Sequence, residues 1–215
     1  RRREEFEELV ARVNAAQFLN YRSFEDEPEL AKGEIERLKQ AKFLREFDTL
    51  DELKAYVGGL PLLNKFALLL KSKPDGSVKL RLITDLLRSH GNEFLPAPER
   101  IVLPRLIDAL EMILYLLDAV ECDASWGVLG ASEEAVEMGS ADFKDAFFNI
   151  PVRPQDRRVQ CYKAFGKFYV SDSLVFGAGP SPLVWGRLAA WLARMAQGLF
   201  DFKELLLQLY VDDPI

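Results

Sequence analysis

Three carboxylates stand where chemistry could be done. Asp212 and Asp213 close the apolar run Leu205–Val211, and Asp142 ends a strand-like stretch that opens near Val136. Adjacent carboxylates repel, and each resists leaving water. For the pair alone two readings stay open: an exposed turn, where Asp is common, or a bound divalent cation that cancels the repulsion. If the two strands lie side by side, Asp142 and Asp212 meet at one end of a sheet. A three-carboxylate set without His or Cys suits Mg²⁺ or Mn²⁺ and not Zn²⁺. Two such ions would serve in-line phosphoryl transfer. Other chemistries are poorly supplied. His90 is the single histidine, which argues against a Ser-His-Asp triad and a multi-histidine metal site. Cys122 and Cys161 are too few for a disulfide scaffold or a cysteine zinc cluster.

The elements that must carry these residues can be read from pattern. Residues 1–60 are acidic and helical: Phe6, Leu9, Val10 and Val13 recur at helical spacing, Glu34–Arg45 is amphipathic, and Thr49–Glu52 has capping-box spacing before a helix ended by Gly58-Gly59. A β-hairpin is predicted from Phe66–Leu70, the turn Pro74-Asp-Gly76 and the alternation over Val78–Thr84. Residues 101–120 are apolar at helical period and predict a buried helix; residues 121–140 predict a loop or insertion. Asp145–Asn149 predicts a helical turn closed by Pro151. A second hairpin spans Val159–Phe165 and Phe168–Leu174 around Gly166-Lys167. After the tight loop Gly177–Pro182, Ser181 is placed to cap a helix over Leu183–Phe200 with Pro182 at its first position. Leu205–Val211 predicts a buried strand.

Taken together, these residues resemble a known family. Asp142-Phe-Lys-Asp-Ala-Phe-Phe-Asn-Ile-Pro151 is similar to the first catalytic motif of reverse transcriptases. Leu174-Val-Phe-Gly-Ala-Gly-Pro-Ser-Pro182 resembles their second palm motif, in the form with Phe before Gly found in retrotransposon enzymes. Tyr210-Val-Asp-Asp213 matches the third. Upstream, Lys71-Ser-Lys-Pro-Asp-Gly76 with Lys79-Leu-Arg-Leu-Ile-Thr-Asp85 resembles the fingers hairpin, followed by Arg88-Ser-His-Gly-Asn92. The order and spacing of the motifs carry the resemblance over residues 62–215. It implies an α+β right-hand polymerase, with fingers at 61–135 and at 136–215 an incomplete palm whose antiparallel sheet packs against helices; the helical region at 1–60 lies outside the resemblance.

The resemblance also implies roles. Asp142, Asp212 and Asp213 would be the catalytic, metal-holding carboxylates, with two Mg²⁺ or Mn²⁺ ions. Lys73 and Arg81 would hold the incoming deoxynucleoside triphosphate, Arg through its bidentate fork. Phe147 would be the steric gate that excludes a 2′-hydroxyl, and Phe176 and Gly177 would also bind the incoming nucleotide. Gly179, Ser181, Pro182 and Tyr210 would meet the primer and the RNA or DNA template. Some positions depart from the family pattern. Leu87 stands where a second arginine is usual, His90-Gly91 replaces a small-then-apolar pair, and Asn92 to Asp142 is a long interval. These departures bear on triphosphate binding.

Composition sets the remaining expectations. The chain has 215 residues, 49% apolar and 29% charged, with a net charge of −6. An acidic balance is uncommon for a nucleic-acid binder unless positive charge is localised. It is concentrated between Lys65 and Arg105, and again at Arg153, Arg157, Arg158, Lys163 and Lys167. No signal peptide or membrane-spanning run is visible, which predicts an intracellular protein without a membrane partner. The sequence opens on Arg1 and stops at Ile215, which predicts a C-terminally truncated fragment with little activity alone, lacking the returning strand after Asp213 and a thumb. The oligomeric state is not legible. Two alternatives remain open: a non-catalytic remnant that binds RNA or protein, and an RNA-directed RNA polymerase.

Overall fold

The computed structural model describes residues 2–15, 19–72, 76, 78–95, 97, 99, 102, 104–125, 139, 143–202, 205–210 and 213–214. By contacts the chain divides into two compact units. The first holds Arg1–Pro98 and Phe147–Ser181, the second Glu99–Ala146 and Pro182–Ile215.

The first unit is built on a five-stranded sheet of β1 (Leu44–Phe47), β2 (Leu63–Ser72), β3 (Val78–Asp85), β4 (Cys161–Ala164) and β5 (Lys167–Ser171), in the order β1-β5-β4-β2-β3. The first hairpin forms as the alternation predicts, with Leu68 opposite Leu82 and Leu69 opposite Arg81. In the second hairpin Ala164 pairs with Lys167, so the turn is Phe165-Gly166, one residue earlier than the sequence suggested. Both turn residues have positive φ, 49° and 76°, the combination a two-residue hairpin needs to follow the strand twist. The sheet is mixed rather than purely antiparallel, because β2 and β4 run parallel through Leu63–Cys161 and Asn64–Tyr162. Parallel neighbours need a long crossover, which residues 73–160 supply.

Side chains alternate across the sheet, and helices cover both faces. On one face Phe66, Leu68, Leu82, Tyr162 and Tyr169 pack with Phe24 of α2 (Arg22–Glu25) and with Ala31, Ile35 and Leu38 of α3 (Pro28–Gln40). On the other, Leu63, Cys161 and Val170 meet Leu53 and Val57 of α4 (Leu50–Val57). The apolar stripe of α1 (Arg2–Ala15) joins Leu62, Leu86, Val159 and Val175 in a third cluster. Thr49 forms the capping box with Glu52, and Gly58 ends α4 at φ 73°. The helix expected over Glu34–Arg45 instead starts at Pro28 and stops at Gln40; Leu44–Phe47 is strand β1, held by pairing with β5. Beyond its short pairing with β4, the free edge of β2 is filled locally: Phe66 N donates to Asn20 Oδ1 at 3.0 Å, Tyr21 N to Phe66 O at 3.0 Å, and Leu68 N to Ser23 Oγ at 3.2 Å. Backbone groups that would otherwise be orphaned are thereby satisfied.

The second unit holds α5 (Leu106–Ser125), most of α6 (Ser181–Gln197) and a two-stranded ladder of β6 (Leu209–Tyr210) and β7 (Asp213–Pro214). The helix expected over 101–120 is present but shifted, and it is not buried: Leu106, Leu110, Leu114 and Tyr115 are exposed. Apolar period reports that a helix has a face, not what covers it. In α6, Trp185 is buried and meets Phe143 edge-on, centroids 5.1 Å apart. Gln197 ties the helix end to the following segment, donating to Leu205 O at 2.7 Å and accepting from Leu207 N at 3.1 Å. Of the strand expected over Leu205–Val211, Leu209–Tyr210 forms while residues 205–208 do not pair and Val211 lies outside the described residues; Asp213–Pro214 supplies the returning strand that was not expected. Among the described residues no helix is long and apolar enough to cross a membrane.

Candidate active site

The residues singled out in the sequence fare differently. Asp142, Asp212 and Lys73 lie outside the described residues. Asp213 is placed by its backbone, paired antiparallel with Tyr210. Among the described residues no group of three or more His, Cys, Asp or Glu could hold a metal ion. Arg81 is exposed on β3. Leu87 is also exposed, at 77%.

Phe147, Phe176, Gly177 and Gly179 come together in the first unit. Phe147 lies on the 3-10 helix Ala146–Asn149, as the predicted helical turn requires, and Ile150 N closes it by donating to Phe147 O at 3.1 Å. The residue is only 5% exposed, and its ring packs on Phe176 with centroids 4.8 Å apart. The neighbouring Phe148 stacks on Phe43 at 5.0 Å and meets Phe176 edge-on, centroids 6.1 Å apart. Of the two aromatics in this motif, Phe147 packs the more closely on Phe176.

That loop is fixed by backbone contacts. Gly177 has φ 104°, and a Cβ there would run into the Thr84 carbonyl oxygen. The Thr84 hydroxyl, at the end of β3, donates to the Phe176 carbonyl. From the other side, Asn92 Nδ2 donates to Gly177 O at 3.1 Å and its Oδ1 accepts from Gly179 N at 2.8 Å. Ser181 begins α6 but does not make the capping bond expected of it. Its hydroxyl is buried without a hydrogen-bond partner among the described residues. Pro182 follows in the first turn, where a missing N–H costs least.

The turn after β3 is held by polar groups that sequence reasoning did not single out. Asp85 Oδ1 accepts from the backbone of Leu87 at 3.0 Å and of Arg88 at 2.9 Å, while Oδ2 accepts from the Tyr21 hydroxyl. That hydrogen bond, with burial, raises the Tyr21 pKa. Beneath the turn, fully buried Asn64 donates to Val159 O at 2.7 Å and Cys161 O at 3.1 Å, and accepts from Ser89 Oγ at 2.5 Å. Burial pushes the Cys161 thiol pKa up, which keeps it an inert apolar filler. The signal available in sequence was weak: Asn64, Thr84 and Asn92 bond mostly to distant backbone, which no side-chain pattern encodes.

No protein-family model matches the chain, and no curated protein matches it. Solved structures do. Two structures of foamy viral protease-reverse transcriptase in complex with double-stranded DNA match at TM-scores of 0.55 and 0.53, with 17% and 15% identity. Each match covers 92% of this chain, and 26% and 32% of theirs. A mutant prototype foamy virus protease-reverse transcriptase matches at 0.52 with 15% identity, over 92% of this chain and 20% of that one. The chain thus spans between a fifth and a third of the length of these proteins, and over nearly its whole extent its fold is reverse-transcriptase-like.

Proposed function

We propose that the chain is the catalytic part of an RNA-directed DNA polymerase, adding deoxynucleotides to a primer 3′-hydroxyl. One observation carries the reading. Residues from three separate motifs, Phe147, Phe176–Gly179 and Thr84 with Asn92, gather around one loop in a fold similar to that of reverse transcriptases. In this reading the hairpin β2–β3 is the fingers element, and Lys73 and Arg81 bind the triphosphate. Phe147 lies under the sugar, its ring backed by Phe176, so that a 2′-hydroxyl finds no room. Gly177 and Gly179 let the backbone approach the nucleotide and template closely.

Asp142, Asp212 and Asp213 would hold two metal ions. As a donor set they are all hard oxygen ligands, which fits Mg²⁺ or Mn²⁺. When bound, the ions would lower the pKa of the primer hydroxyl and neutralise the charge on the leaving pyrophosphate. Tyr210, paired in register with Asp213, would contact the primer end.

The test is primer extension on a primed RNA template with Mg²⁺, using the polypeptide of the whole reading frame. Extension is expected with deoxynucleotides and is abolished by Asp212→Asn. Phe147→Val should admit ribonucleotides. A well-folded wild-type protein that extends no primer would point to a non-catalytic remnant. A preference for ribonucleotides in the wild type would point to RNA synthesis.

A further inference from the structure

We infer that Asn92 is a positioning residue for nucleotide selection: its amide sets the Phe176–Gly179 loop and, through Phe176, the Phe147 ring. The inference rests on the polymerase reading above, but its geometry stands apart from it. Asn92 uses both ends of one amide, donating to Gly177 O and accepting from Gly179 N, and so bridges over Ala178. The partners fix the orientation, because a backbone N–H can only donate and must face the amide oxygen.

Asn92 is itself held in place. It lies on the 3-10 helix Gly91–Phe94, entered by His90 at φ 59°, and its own N–H donates to Leu86 O at 3.2 Å. The loop it grips contains two glycines, which leave the chain free unless something holds it. A recognition loop must be kept within about 0.5 Å to work well. Thr84 holds Phe176 from the opposite side through the carbonyl. The loop is therefore clamped at both flanks, and movement at Gly177 is passed to the Phe176 ring and on to Phe147.

The side-chain type is demanding. Asp keeps the acceptor for Gly179 but loses the donor and sets a carboxylate against the Gly177 carbonyl. Ser is too short to reach both partners. Asn92 is half-buried, so its replacement leaves no large void.

The experiment has two arms. In the first, amide hydrogen exchange of the 215-residue chain is compared with Asn92→Ala. Exchange at Gly179 is expected to accelerate at least tenfold, about the effect of losing one or two hydrogen bonds, while β2–β3 amides stay unchanged. In the second, primer extension by the full polypeptide is measured for wild type, Asn92→Ala and Asn92→Asp. The deoxynucleotide KM is expected to rise about tenfold in both variants. Discrimination against ribonucleotides should fall, and kcat should change little. A merely structural role would lower the active fraction, and with it kcat, without moving KM or discrimination. If Asn92→Ala does not fold, Asn92→Ser is read by the same measures. Unchanged exchange at Gly179, or unchanged KM and discrimination, overturns the inference alone. A wild type that extends no primer overturns the polymerase reading and the inference with it.

Discussion

The two units of the chain handle their interior in opposite ways. In the first, helices cover both faces of one sheet, the free edge of β2 is closed by Asn20, Tyr21 and Ser23, and a buried asparagine is satisfied on every side. In the second, the described side chains of α5 present Leu106, Leu110, Leu114 and Tyr115 to the surface, and α6 exposes Trp191 and Met195. Both units are apolar by sequence. What separates them is how the polar groups and the sheet direct the apolar ones inward. A strand forces alternation and so chooses a face, whereas a helix with a broad apolar stripe leaves the choice to whatever packs on it. The loop that carries the candidate nucleotide contacts belongs to the first, better-specified unit, as a site that needs fixed geometry should.

The sharpest way to break this contrast is at Asn64. Asn64→Leu keeps the volume but removes the side-chain donor to the carbonyls of Val159 and Cys161 and the acceptor for the Ser89 hydroxyl, which is left with Leu86 O and Gly91 N. An unsatisfied buried group costs about 1–3 kcal/mol, so a loss of about 4 kcal/mol is expected. Urea unfolding of the chain measures it. A loss below about 1 kcal/mol would mean that the polar network specifies little.

A pair of glycines gives the next contrast, one from each unit. Gly177→Ala meets both an unfavourable φ and the Thr84 carbonyl, and should cost about 2–3 kcal/mol through displacement of the loop. Gly186, within α6, has open space where a Cβ would go. Gly186→Ala should therefore stabilise by about 0.5–1 kcal/mol, the ordinary difference in helix propensity. Thermal unfolding of the two variants distinguishes them by sign as well as size, and equal effects would remove the distinction between the loop and the helix.

Legibility from sequence follows the same line. The Thr49 capping box, the first hairpin and the helical turn before Pro151 were readable because local rules determine them. Strand β1 was not. Four residues, Leu44–Phe47, carry too little pattern, and their extended state comes from pairing with β5, distant in the chain. The residue types of the candidate site were readable in Phe147 and Gly177. The clamp was not: Thr84 and Asn92 reach backbone atoms 85 to 92 positions away, and a carbonyl looks alike in every residue. The burial expected of α5 failed for a related reason, since period defines a stripe and only tertiary structure decides its cover.

The smallest effect tests that last point. Leu114 is 63% exposed on α5. If the stripe is open to water, Leu114→Gln removes no packed contact and replaces one good helix former by another, so stability should stay within about 0.5 kcal/mol. The same substitution at Leu53, fully buried under β4 and β5, should cost several times more, because it places an amide in an apolar cluster without partners. Sedimentation of the Leu114→Gln chain, run beside its urea titration, adds the discriminating reading. An unchanged mass with unchanged stability leaves α5 as a surface helix. A loss of about 2 kcal/mol would mean that Leu114 is packed in solution, and the difference between the two units would then lie in where their cover comes from rather than in whether they have one.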